Sequence, residues 1–156
     1  MDTQVYFEDI SHHITRQLER ARFSIRLAVA WFTDDELLEA IVQAQQRGVS
    51  VEMVVSDNDI NKGNYGLNYD AYLSAGGLLH WVGGDGLQDK LMHNKFCIID
   101  NEIVINGSYN WTRKARHNHE NITIIANSPK TVREFGSEFE RMKRAALGEA
   151  EVSFDP

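Results

Sequence analysis

Apolar positions fall at helical spacing near the start of the chain. Between Asp9 and Ala21, Ile10, Ile14 and Leu18 recur at steps of four with charged residues between them, which predicts an amphipathic helix. The pattern then changes. Phe23 to Trp31 (FSIRLAVAW) is nearly continuous in apolar and β-branched residues, as in a strand buried on both faces. Thr33-Asp34-Asp35-Glu36 reads as a capping box, with Thr33 as N-cap and Glu36 reaching back. The helix it opens runs through Leu37, Leu38, Ile41, Val42 and Ala44 and stops at Gly48. Val49 to Ser56 is a second strand. A strand–helix–strand crossover favours parallel pairing of the two strands.

The pattern is looser through the middle of the chain. Asp57 to Gly66 is a polar loop, Leu67 to Ala75 a helix, and Leu78 to Val82 a short strand. A glycine-rich loop from Gly83 to Lys90 precedes an apolar strand, Leu91 to Ile99. Asp100-Asn101 is a tight turn, and Glu102 to Asn106 returns as a strand. Glu120 to Ala126 is a further strand. Pro129 suits the first turn of a last helix reaching about Leu147, with Val132, Phe135, Phe139 and Met142 on one face. The order of elements implies an α/β fold, a mixed β-sheet flanked by helices on both faces. One domain is expected over residues 1–148, with a loose tail over 149–156.

A chain of 156 residues has room for one core. No window of 18 apolar residues occurs, so no membrane span is expected. The acidic start, MDTQVYFEDISHH, is not a secretory signal. The expectation is a cytoplasmic protein, unless a leader was removed beforehand. The lone cysteine, Cys97, sits in an apolar run and reads as a buried structural thiol. The net charge of −7 argues against long, non-specific wrapping of nucleic acid. The charge is uneven, however. Residues 87–119 carry Lys90, Lys95, Arg113, Lys114 and Arg116 against Asp89, Asp100 and Glu102, a net +2 that leaves −9 for the remainder.

That basic stretch contains the candidate chemistry. His93 and Lys95, two apart on a strand, share a face, and an imidazole beside an ammonium is costly in an apolar strand without a use. If a hairpin turns at Asp100-Asn101, Ser108 and Asn110 return close to His93. The set offers a nucleophile or base, a fixed cation, a hydroxyl and an amide around one point. Those are the groups that stabilise a charged phosphorus centre. Each residue alone would ordinarily be structural, and it is the joint spacing that points to a site.

The spacing H-x-K-x4-D-x6-G-S-x-N, here His93, Lys95, Asp100, Gly107, Ser108 and Asn110, resembles the signature of the phospholipase D superfamily. With one motif, the chain resembles the single-motif branch, which holds small bacterial endonucleases and the mitochondrial cardiolipin hydrolase/piRNA nuclease. The resemblance implies a phospholipase D/nuclease-like α/β sandwich and a homodimer whose two motifs meet at the two-fold axis. It implies that His93 of one copy attacks phosphorus, giving a phosphohistidine, while His93 of the other protonates the leaving oxygen. Lys95, Ser108 and Asn110 would hold phosphate oxygens, and Glu120 would orient the imidazole. Asp100 and Gly107 belong to the signature, with a structural role for Asp100 at the turn. No metal or cofactor is implied. His117 and His119 could suggest a metal pair, but no cysteine or carboxylate beyond Glu120 stands at ligand spacing. Arg113, Lys114 and Arg116 are expected to line the substrate groove. Trp111, Trp31 and Phe32 are expected in the core. Three functions compete, in this order: a metal-independent nuclease cleaving DNA or RNA, a phospholipase acting on cardiolipin or a similar lipid, and a non-catalytic nucleic-acid-binding module.

Overall fold

The computed structural model describes residues 1–83 and 90–148. Most of the glycine-rich loop and the tail expected over 149–156 lie outside those residues. The elements are β1 (Asp2–Tyr6), α1 (Ile10–Arg20), β2 (Ser24–Val29), α2 (Asp35–Gln46), β3 (Ser50–Ser56), α3 (Asp59–Lys62), α4 (Asp70–Ser74), β4 (Leu78–Val82), β5 (Lys95–Ile99), β6 (Ile103–Gly107), β7 (Ile122–Ala126) and α5 (Pro129–Ala146). The strands form one mixed sheet in the order β1-β7-β6-β5-β2-β3-β4. β2, β3 and β4 are parallel, and the remaining pairs are antiparallel.

Helices cover both faces. Ile25, Leu27 and Val29 of β2 and Met53 and Val55 of β3 pack with Ile14 and Leu18 of α1 and Leu37 and Ile41 of α2. On the opposite face, Ala28, Val54, Phe96, Ile98 and Val104 meet Val132, Phe139 and Met142 of α5. Burial from two sides explains why the central strands read as continuous apolar runs.

The structure departs from the sequence reading in several places, among them the later starts of α4, at Asp70 in place of Leu67, and of β7, at Ile122 in place of Glu120. β1 was not expected. It is an edge strand whose residues are mostly exposed, so no apolar pattern marks it. α3 interrupts the loop over 57–66, capped by the Asn58 side chain, which accepts from the Asn61 N–H at 2.8 Å. The N-cap of α2 is Asp34, not Thr33. Its Oδ1 accepts from the Glu36 N–H at 3.0 Å, and no capping box forms. The motif strand begins at Lys95, not Leu91, so His93 lies just before it.

Candidate active site

The site is built where β2 and β6 end and β5 begins, and the turn at the far end of β5 fixes the register of these strands. The β5–β6 turn, closed by the Glu102 N–H donating to the Ile99 carbonyl at 3.0 Å, puts Asp100 and Asn101 both in the left-handed region. The Asp100 carboxylate accepts from three backbone N–H groups, Arg22, Phe23 at 2.7 Å and Ser24 at 3.0 Å. Burial alone would raise its pKa. The hydrogen bonds outweigh that and hold it below the usual carboxylate value. Gly107 ends β6 with φ at 158°, and a Cβ there would collide with the Asn121 carbonyl.

His93 is gripped on both sides. The Met92 carbonyl accepts from Ser56 Oγ, and the Asn94 carbonyl accepts from the Ala30 N–H at 2.9 Å. The imidazole itself is exposed, so it is not the polar intrusion into a buried strand that the sequence suggested. Lys95 Nζ donates to the His93 carbonyl at 2.8 Å and lies 3.2 Å from Nδ1 and 3.3 Å from Nε2. Partial desolvation, and then the Lys95 charge, lower the His93 pKa below 6.5, so the ring is neutral near pH 7. Burial also lowers the pKa of Lys95, while the Glu120 charge counters it.

Ser108 Oγ donates to Glu120 Oε1 at 2.6 Å and accepts from the Asn121 N–H at 3.1 Å. Asn118 Nδ2 donates to the other Glu120 oxygen at 3.3 Å. Within one chain, then, Glu120 holds Ser108 and faces Lys95; no hydrogen bond joins it to His93. Asn110 Oδ1 accepts from the Trp31 N–H at 3.3 Å, so its amide nitrogen is the group offered to the site. Trp111, only 2% exposed, fixes this geometry. Its N–H donates to the Trp31 carbonyl, and its own carbonyl accepts from the Thr33 and Asp34 N–H groups.

The expected groove cations separate into two kinds. Arg113 is bound to Asp35 and Glu36, and Arg116 to Asp34 and Glu36, with Arg116 Nη2 2.7 Å from Asp34 Oδ2. Both therefore face the start of α2. Lys114 is exposed and has no ion pair among the described residues. His117 and His119 are exposed, and no cluster of three or more metal-ligating side chains occurs among the described residues. Cys97 is fully buried, which pushes its thiol pKa far up.

Sequence reasoning placed Trp31 in the core and passed over Asn61. Trp31 is only half-buried and stands edge-on to His93, ring centroids 5.4 Å apart. Asn61 is buried. It accepts from the Phe32 N–H and donates to the Ala30 and Ser56 carbonyls, tying the ends of β2 and β3. The polar loop around it gave no sign of burial. A cavity of about 630 Å³ opens beside the site, with Asn110 and Glu120 in its wall.

Comparison with known proteins agrees with this architecture. The family described as cardiolipin synthase, PLD-like domain, matches residues 14–143. Mitochondrial cardiolipin hydrolase of Chlamydomonas reinhardtii is 33% identical over 140 residues, 87% of this chain and 55% of that protein. The human protein of the same name is 35% identical over 138 residues, 86% of this chain and 51% of that one. The chain thus spans about half the length of these curated relatives. Among solved structures, the phospholipase D family member Nuc from Salmonella typhimurium superposes with a TM-score of 0.78 at 26% identity, covering 92% of this chain and 95% of that one. NucT from Helicobacter pylori has the same fold, with a TM-score of 0.79 at 22% identity over 92% of this chain and 96% of that one.

Proposed function

Because the chain belongs to the phospholipase D superfamily, we propose that its His93–Lys95 site is that of a metal-independent phosphodiesterase, an endonuclease completed by a second copy of the chain. The observation that supports it is the exposed imidazole with an ammonium 3.2 Å away, where desolvation and then that charge lower the ring's pKa and favour its neutral form. A neutral ring nitrogen is nucleophilic, and the ammonium is placed to meet the charge that phosphate brings.

In the first step His93 forms the P–N bond as the P–O bond to the leaving group breaks. The ring of the second copy, protonated as it meets the anionic phosphate, gives its proton to that oxygen. In the second step the same ring, now neutral, takes a proton from water. The resulting hydroxide attacks phosphorus and the P–N bond breaks. Lys95 and the Asn110 amide hold the non-bridging oxygens. Glu120 keeps Ser108 in place and balances the Lys95 charge.

Nucleic acid comes first as substrate because Lys114, which has no ion pair among the described residues, lines the cavity beside the site and extends its cationic surface beyond Lys95, although Arg113 and Arg116 are taken up by the acidic start of α2. A lipid phosphodiester is the second reading, favoured by the relatives named cardiolipin hydrolase. The test is incubation with labelled DNA, RNA and cardiolipin vesicles in EDTA. Nucleic acid should be cut with EDTA present and left intact by His93→Ala. Quenching in alkaline denaturant should trap labelled phosphate on the wild-type protein, and acid treatment should then release it, because a P–N bond survives base and is lost in acid. Turnover of lipid alone would sink the nuclease reading.

A further inference from the structure

The cavity beside the site has a makeup that the phosphate chemistry does not use. Its walls include Trp31, Ile60, Tyr65 and Lys114 in addition to Asn110 and Glu120. Trp31 is the shared wall, since its ring also stands against His93. Tyr65 and Ile60 belong to the α3–α4 segment, and they are 83% and 53% exposed. With Trp31 they make one contiguous apolar surface on the cavity wall, not scattered single residues. Their segment is firmly placed. Asn58 caps α3, and buried Asn61 ties α3 to the ends of β2 and β3.

We infer that this cavity is a base-stacking subsite, in which Tyr65 is the platform for an unpaired nucleobase next to the scissile phosphate and Lys114 meets the following phosphate. The inference rests on the nuclease reading of the adjoining site. An aromatic face with a free cation beside it matches the alternation of base and phosphate along a single strand. A base in a duplex would have its faces covered by its neighbours, so the base taken here is an unstacked one. The cavity's apolar groups, Trp31, Ile60, Tyr65 and Ala115, are interrupted by Thr33, Thr112 and Asn118, and an acyl chain is the competing occupant that the vesicle arm of the test distinguishes.

The test compares an oligothymidylate with a strand of the same length built from stable abasic sugars. The wild-type chain should cut the oligothymidylate with a KM about tenfold below that for the abasic strand, at similar kcat. Tyr65→Ala should bring the two KM values together, and Tyr65→Phe should restore the difference. Tyr65 is largely exposed, so the Ala variant should melt with the wild type. Equal KM values for the two strands in the wild type, or full discrimination in Tyr65→Ala, would overturn the subsite and leave the nuclease reading intact. Hydrolysis of phospholipid vesicles with neither strand cut would overturn both.

Discussion

The imidazole of His93 is set by its neighbours more than by its own burial depth. Two influences hold it neutral, desolvation first and the Lys95 charge second. Replacing Lys95 with Gln removes only the second. The His93 pKa should then move up toward 6.5 without passing it, because the desolvation stays. Titration of the ring signals by NMR in the two proteins measures this directly. An unchanged or lower value in Lys95→Gln would show that the ammonium does not act on the ring. The sign also governs activity. Attack needs the neutral ring, so the acid limb of kcat/KM should lie below pH 6.5 in the wild type. At this scale the sequence was informative about identities and less so about surroundings. The expected set, His93, Lys95, Ser108 and Asn110, was picked out by its spacing and by the resemblance that this spacing carries. The pairing of Ser108 with Glu120 was not, because it joins residues across the β6–β7 connection by side chains whose rotamers a sequence does not state. Arg113 and Arg116 looked like groove cations for the same reason. Their carboxylate partners sit about 80 residues earlier, at the start of α2.

Elements that bury two faces were plain in the sequence, and those that bury none were not. β2, β3 and α2 carry long apolar runs or stripes. β1 and α3 are short and largely exposed or polar, and tertiary pairing alone makes them regular. Thr33 lost the capping position to Asp34 because Asp34 also receives Arg116 and is fully buried, a partner invisible from the local pattern. The β5–β6 hairpin was legible because Asp and Asn tolerate the left-handed backbone that its turn needs. Asp100 does more than turn the chain, since its carboxylate gathers the start of β2 against the hairpin. Asp100→Asn should therefore cost about 2 kcal/mol at pH 7, read by urea unfolding. The folded-state pKa of Asp100 is depressed, so its contribution is fully present above the unfolded value of 3.8 and fades as pH falls through the lower folded value. The gap between wild type and Asp100→Asn should hold from neutral pH down to about 4 and close below it. A gap that closes already near pH 6 would mean that the carboxylate is not held by these N–H groups.

The whole molecule brings several polar groups to one point, yet the point is half supplied. It holds one imidazole with Lys95, Asn110, Ser108 and Glu120 around it, whereas the proposed reaction needs a nucleophile and an acid at once. Lys95 is a poor proton donor to a leaving oxygen even with its lowered pKa, because its proton-bearing form is what holds phosphate. In the proposed reaction a second copy of the chain would supply the missing imidazole, and a two-fold arrangement would give each copy the same pair of roles in turn. This makes a quantitative claim about mixtures. If wild type and His93→Ala subunits exchange freely, only dimers with two wild-type copies hold both rings. Activity should follow the square of the wild-type fraction, about one quarter of full activity in an equal mixture. Independent sites would leave about half, in direct proportion to the wild-type protein. Measuring nuclease rate across mixing ratios, after enough time for subunits to exchange, separates the curve from the line. A straight line at complete exchange would place both chemical roles within one chain.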